Sequence, residues 1–282
     1  MVLKNIIFSG GGFKGWAYIG TIKALNEEIN FKEIHEVIGV SVGAIFGLFY
    51  VLNLDYKTIL NYFLNLDLSK YLDIDLDSIL SNQSILHGTH YKNIILTLMK
   101  LNKNVSDNLT FIQLYDLTGI KFTTCALNIN TIELVYFNHL LTPHVKVIDS
   151  IMATSALPIL FPAYKIGEDF YYDGGICNNC PCNLVDPETS IAFTVGSIYI
   201  PSKWNILNLI NSLTRMLNKL IIKNQEIIFN IISKKYDNEM YNINQSNDTI
   251  FNIYMDGYTH TKNVLKAISK GDCDLTVFNT FS

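Results

Sequence analysis

The hydrophobic pattern opens with two short strands, each running into a turn and then a helix. Residues 4–8 form a β-type run that stops at Ser9-Gly10-Gly11-Gly12. Residues 13–28 follow with Trp16, Ile19, Ile22 and Leu25 at helical spacing. Residues 35–40 make a second apolar run that enters a turn at Ser41, and residues 44–53 continue as an uncharged helix. This order predicts the start of a parallel sheet with right-handed crossovers. Residues 55–101 read as mainly helical, with polar breaks at 81–84 and 88–89. Residues 121–128 and 132–138 read as paired strands, 146–155 as a helix, and 161–172 as two short strands around Gly167. Further on, the pattern predicts a strand over 191–200, the longest helix over 204–233, a last strand over 249–254 and a last helix over 259–269. No repeat or low-complexity linker interrupts the chain, so residues 1–282 are expected to form a single domain.

Residues 37–54 carry no charge and approach the roughly 20 residues that a membrane-spanning helix needs. The glycines and serine within the run favour a strand, a tight turn and a buried helix instead. Hydrophobic residues make up 49% of the chain and charged residues 16%, against about 25% charged in ordinary domains. That composition excludes disorder. It suits either a large buried sheet or a protein that works at a lipid surface. The net charge of −4 lacks the basic footprint of a nucleic-acid binder. Arg215 is the sole arginine, so bidentate arginine clamps on phosphate are scarce. The five cysteines are an odd number, and no secretory signal follows Met1. A reducing, intracellular setting is expected, either cytoplasmic or peripherally membrane-associated.

The chemistry concentrates at three places. Gly39-Val40-Ser41-Val42-Gly43 is a Gly-x-Ser-x-Gly pentapeptide between an apolar strand and an apolar helix. In that setting it predicts a nucleophile elbow, a sharp turn that lifts the Ser41 hydroxyl above the sheet. Otherwise Ser41 is simply the N-cap of a buried helix. Gly10, Gly12 and Gly15 fit Gly-x-Gly-x-x-Gly, which opens the rival reading of a dinucleotide-binding oxidoreductase. The acid expected at the end of the second strand is absent, because the elbow occupies that place. A backbone donor loop beside a nucleophile has another use, since its N–H groups can form an oxyanion hole. Asp173, in Tyr172-Asp173-Gly174-Gly175, is the better candidate for a base; alone, Asp-Gly-Gly is an ordinary turn motif. His260 is the one histidine that follows every plausible acid in the usual triad order, but nothing around it marks it.

Together these features resemble the patatin-like phospholipase family. The likeness rests on Gly10-Gly11-Gly12-Phe13-Lys14-Gly15, the Gly39–Gly43 pentapeptide and Asp173-Gly174-Gly175. It extends through Ala153-Thr154-Ser155-Ala156-Leu157-Pro158, Phe161-Pro162, and then Asn179 and Pro181. Lysine at position 14 is an accepted variant where the family often has arginine. The resemblance implies a three-layer α/β/α fold with a mainly parallel central sheet. It implies a serine lipid acyl hydrolase that cleaves ester bonds of phospholipids, lysophospholipids or acylglycerols. Ser41 would be nucleophile and Asp173 base, with the Gly10–Gly12 backbone as oxyanion hole and no histidine, metal or cofactor. A non-catalytic patatin-like interaction protein is a third reading, against which the intact Ser41 and Asp173 argue.

Cys177, Cys180 and Cys182 are too few for a structural zinc without Cys125, Cys273 or a histidine, and free thiols are expected. The expected partner is a lipid at a membrane surface or micelle. Residues 204–232 mix an apolar face with the bases Lys203, Arg215, Lys219 and Lys223. That pattern suits a helix covering the sheet or one lying on an anionic bilayer.

Overall fold

A computed structural model describes residues 2–67, 84–196, 227–242 and 244–270. Strand β1 (Asn5–Phe8) is followed by a 3₁₀ turn over Gly12–Trp16 and helix α1 (Ala17–Glu28). Strand β2 (Glu36–Gly39) turns into α2 (Val42–Val51). Next come α3 (Tyr56–Leu64), α4 (Thr89–Met99) and α5 (Phe111–Thr118). Strands β3 (Lys121–Asn128) and β4 (Glu133–Phe137) form a hairpin, and α6 (Val147–Thr154) follows. A second hairpin, β5 (Tyr164–Ile166) and β6 (Asp169–Asp173), leads into the single turn α7 (Gly175–Asn178). Strands β7 (Ser190–Thr194) and β8 (Ile228–Asn230) and helix α8 (Asn247–Ser269) complete the described elements.

The eight strands form one sheet. Strands β3, β2, β1, β7 and β8 are parallel in that order, and β4, β5 and β6 join antiparallel. Period-two alternation sorts the buried side chains onto two faces. Ile6, Phe8, Val37, Phe122 and Phe193 enter the larger core with α1, α2 and α3. Ile7, Ile38 and Ala192 enter a smaller one with Cys180 and Cys182.

One register decides where chemistry can occur. Thr124 of β3 pairs with Gly39 of β2 and also with Phe137 of β4, so β2 and β4 lie on opposite edges of β3. Ala126 pairs with Val135 of β4 and with Asp173 of β6, which puts β6 on the β2 edge. Strand β3 therefore carries β2 along its first half and β6 along its second half. Those two strands run toward each other, and the residues that leave their ends meet.

Two predicted elements need correction. Residues 249–254 belong to α8, not to a strand. Its buried side chains are Ile250, Ile253, Tyr254, Thr261, Val264 and Leu265, a helical spacing that a six-residue window is too short to show. Residues 228–230 pair with β7 as a strand, where a continuous helix over 204–233 was expected. The segment 204–226, with Arg215, Lys219, Lys223 and the neighbouring Lys203, lies outside the described residues, as do residues 197–200 of the predicted strand. Helix α5 was not anticipated. Residues 37–54 turn back at Ser41, and among the described residues no helix is long and apolar enough to cross a membrane.

Candidate active site

Ser41 leaves β2 with φ 53° and ψ −129°. A non-glycine residue there is strained, and the strain is the signature of an elbow. Ser41 holds the N-cap position of α2, but its side chain makes no capping bond to the helix. The flanking glycines are needed for close approach. A Cβ on Gly43 would fall on the carbonyls of Phe8 and Ser9, and one on Gly39 would fall on the backbone of Ala44. The Ser41 N–H donates to Thr154 Oγ1 at 3.1 Å.

Asp173 ends β6 and is buried. Its N–H donates to the Ala156 carbonyl at 2.9 Å. Its Oδ1 accepts the Gly175 N–H at 2.7 Å, which fixes the turn that the two glycines make. Gly174 packs on the Cys125 backbone too tightly for any side chain. The Ser41 hydroxyl lies near enough to the carboxylate to favour its charged form. Burial raises the Asp173 pKa to about 7, against the lowering effect of Ser41 and of the Gly175 amide. Desolvation wins because those two donors cannot replace the lost water. The same burial, with the neighbouring Asp173 charge, pushes the Cys125 thiol up.

The glycine loop lies against both residues. Tyr18 is fully buried and donates to the Ser9 carbonyl at 2.8 Å, holding the bend where β1 ends. Gly10 lies against Ser41 Cβ, with the Asn179 side chain on the same side. Asn179 Nδ2 donates to the Gly10 carbonyl at 3.2 Å. The Gly10 N–H faces the Asn179 carbonyl at 3.4 Å and is the least available of the three expected oxyanion donors. Gly11 and Gly12 open the 3₁₀ turn, where the first N–H groups of a helix have no intrahelical acceptor. Gly15 packs on Val42 and Phe46 of α2. Lys14 is buried, with Nζ 4.0 Å from Asp237, and ties the loop to residues 234–241.

All the expected site residues thus gather at the ends of β1, β2 and β6. Sequence reasoning gave no role to Thr154 or Asn179, although both lie in the stretches that carried the resemblance. His260 lies within α8, its Nδ1 2.9 Å from the Asp256 carbonyl one turn back. Cys180 and Cys182 are buried with sulfurs 3.5 Å apart. Among the described residues no three metal-ligating side chains come together; Cys273 lies outside them.

The sequence pattern described as patatin-like phospholipase matches residues 6–186. The chain belongs to this family. It is 30% identical over 189 residues to "Probable lipid hydrolase 463L" of Invertebrate iridescent virus 6, covering 64% of this chain and 62% of that one. It is 26% identical over 192 residues to "Uncharacterized protein R571" of Acanthamoeba polyphaga mimivirus, covering 66% of this chain and 62% of that protein. The matches therefore span less than two thirds of either relative. Among solved structures, VipD from Legionella pneumophila superposes with a TM-score of 0.68 at 18% identity, covering 95% of this chain and 67% of that chain. The fold is the patatin-like three-layer α/β/α arrangement, with the mixed sheet described above at its centre.

Proposed function

We propose that this patatin-like protein is a lipid acyl hydrolase that cleaves carboxylic esters through Ser41 and Asp173. The observation that carries the reading is the contact between a strained serine and a buried aspartate whose pKa is raised to about 7. A base poised near neutral pH can take a proton and return it within one cycle. Asp173 accepts the Ser41 proton as Oγ attacks the ester carbonyl. The tetrahedral oxyanion is held by the Gly11 and Gly12 amides, with the N-terminus of α2 facing the developing charge. Collapse expels the alcohol or lysophospholipid, protonated by Asp173. Water, deprotonated by Asp173, then attacks the acyl-enzyme, and the fatty acid leaves.

Phospholipids, lysophospholipids and acylglycerols are the proposed substrates, from the family's name and the printed name of the iridescent-virus relative. Family membership argues against a dinucleotide role for Gly10–Gly15. The retained Ser41 and Asp173 argue against a purely non-catalytic role. The test combines two measurements on the purified chain. A fluorophosphonate should label Ser41, and a mixed lipid extract should yield free fatty acid. Labelling mapped to another serine, or no fatty acid from any ester lipid, would overturn the proposal.

A further inference from the structure

The sheet end that holds Ser41 carries an apolar projection that the proposed chemistry does not use. Strand β3 continues past the level of Asp173, which pairs with Ala126, and turns at residues 129–132. Three more residues of strand carry Ile129 about 10 Å beyond that level. Phe170 lies opposite Ile129, with the Ile129 N–H donating to the Phe170 carbonyl at 2.9 Å. Lys165 pairs with Phe170 on the far side and places Nζ 5.6 Å from its ring centre. Ile129, Phe170 and Lys165 therefore form a row across β3, β6 and β5.

The apolar members of this projection are out in solvent: Ile132 is 82% exposed, Ile129 40% and Phe170 39%. Ile132 also holds φ 59°. A β-branched side chain is a poor choice for that conformation, where asparagine or glycine would sit without strain. A residue that is both strained and exposed contributes little to folding and presents its side chain outward. The surrounding charges say to what. Lys165 stands against Glu133, Glu168 and Asp169, so the projection is acidic on balance. Anionic phosphate surfaces and nucleic acids are poor partners for it, and an uncharged or zwitterionic lipid surface is a good one. The lysine can reach the headgroup level while its stem lies along the ring.

We infer that Ile129, Ile132 and Phe170 insert into a zwitterionic lipid surface and set the Ser41 end of the sheet against it. This rests on the reading of the protein as a lipid hydrolase. A second exposed pair, Leu140 (69%) and Leu141 (64%), follows β4 toward the opposite end of the sheet and serves as a control.

The test is co-sedimentation of the full chain with phosphatidylcholine vesicles, alongside hydrolysis of a short-chain soluble ester. Ile132→Asn should keep or raise the melting temperature and still weaken vesicle partition. Together with Ile129→Ser and Phe170→Ser it should weaken partition roughly tenfold or more. Soluble-ester hydrolysis should be unchanged, as should partition in the Leu140→Ser, Leu141→Ser protein. Wild-type partition of the tip variants would overturn the inference. So would binding that requires anionic lipid and vanishes in salt, absence of binding by the native chain, or loss of binding in the Leu140, Leu141 variant. Failure of the native chain to hydrolyse the soluble ester would instead count against the Ser41–Asp173 reading and leave the partition result intact.

Discussion

The two halves of the site are built in opposite ways. The Ser41 half is local: a strand, a strained residue and a helix within sixteen consecutive positions, with glycines where other backbone comes close. The Asp173 half is made at a distance. Asp173-Gly174-Gly175 becomes a candidate base only because β6 shares an edge of β3 with β2 and runs into its end. A stretch of three residues joins the halves. Thr154 Oγ1 holds the Ser41 amide, and the Ala156 carbonyl holds the Asp173 amide. A local device can be read from a pentapeptide. A property that depends on register and burial, such as a carboxyl held near neutrality, cannot.

The largest expected effect breaks the local half. Ser41→Ala removes only the attacking oxygen, so ester hydrolysis should fall by at least about 10³-fold while the fold persists. The strain at φ 53° remains, so the melting temperature should change little. Most activity surviving in a folded Ser41→Ala protein would remove the serine from the mechanism.

Asp173→Asn breaks the distant half and should cost roughly 10²- to 10⁴-fold, the range of general-base assistance. Its stability should move the other way. A carboxyl whose folded pKa is raised from 3.8 to about 7 binds its proton more tightly in the native state than in the unfolded one. The native protein is thus destabilised as pH rises from about 4 to about 7, by on the order of 4 kcal/mol in all. Asparagine keeps an acceptor for the Gly175 N–H and carries no charge to bury. The variant should be inactive yet more stable than wild type above pH 7, and the gap should close below pH 4. Wild-type activity should rise with pH through about 7, as Asp173 ionises. Urea titrations of both proteins at pH 4 and pH 8 check the sign; equal stability at pH 8 would show that the carboxylate is not buried as described.

The same division separates what was legible from what was not. The glycine loop, the elbow and the parallel start of the sheet were readable, because each is a short pattern with a local cause. Helix α5 was readable too and was missed. Thr110 and Gln113 form a capping box, with the Thr110 N–H donating to Gln113 Oε1 at 3.0 Å, and Gly119 closes the helix at φ 71°. The strand misread over 249–254 has the opposite cause. Thr249-Ile250-Phe251-Asn252-Ile253-Tyr254 looks like a strand in isolation. It is helical because Ser246 caps it, accepting from the Thr249 N–H at 3.1 Å, and because α1 supplies the face that Ile250, Ile253 and Tyr254 bury against. Thr154 and Asn179 were illegible as site residues, since their partners lie 113 and 169 positions away in sequence.

Thr154 offers a sharper cut, since it acts on the elbow from the side that also holds Asp173. Thr154→Val keeps the shape and removes the acceptor, leaving a part-buried N–H unpaired at a cost of about 1–3 kcal/mol. A relaxed elbow misplaces Oγ, so kcat should fall by roughly tenfold, well short of either dyad variant, with KM little changed. Thr154→Ser restores the oxygen and should recover most of the loss. No recovery would mean that the methyl group, packed at the end of α6, matters more than the hydrogen bond.

The smallest expected effect is that of His260→Ala, and it tests whether a histidine completes the site. In the usual triad order His260 is the one histidine placed to orient or relay a proton after Asp173. The structure gives it another occupation. It lies on α8 with Nδ1 2.9 Å from the Asp256 carbonyl, and α8 packs chiefly on α1 rather than on the strand ends that hold Ser41 and Asp173. An imidazole that donates from Nδ1 to that carbonyl has only Nε2 left, and nothing in the arrangement directs Nε2 toward Ser41. Alanine removes one side-chain hydrogen bond on a half-buried helix position and raises helix propensity there. The two effects oppose each other, so stability should shift by less than about 1 kcal/mol. Activity and the pH midpoint near 7 should stay as in wild type. A loss approaching that of Asp173→Asn, or a pH midpoint that moved with His260, would replace the dyad with a triad and end the contrast between the two halves.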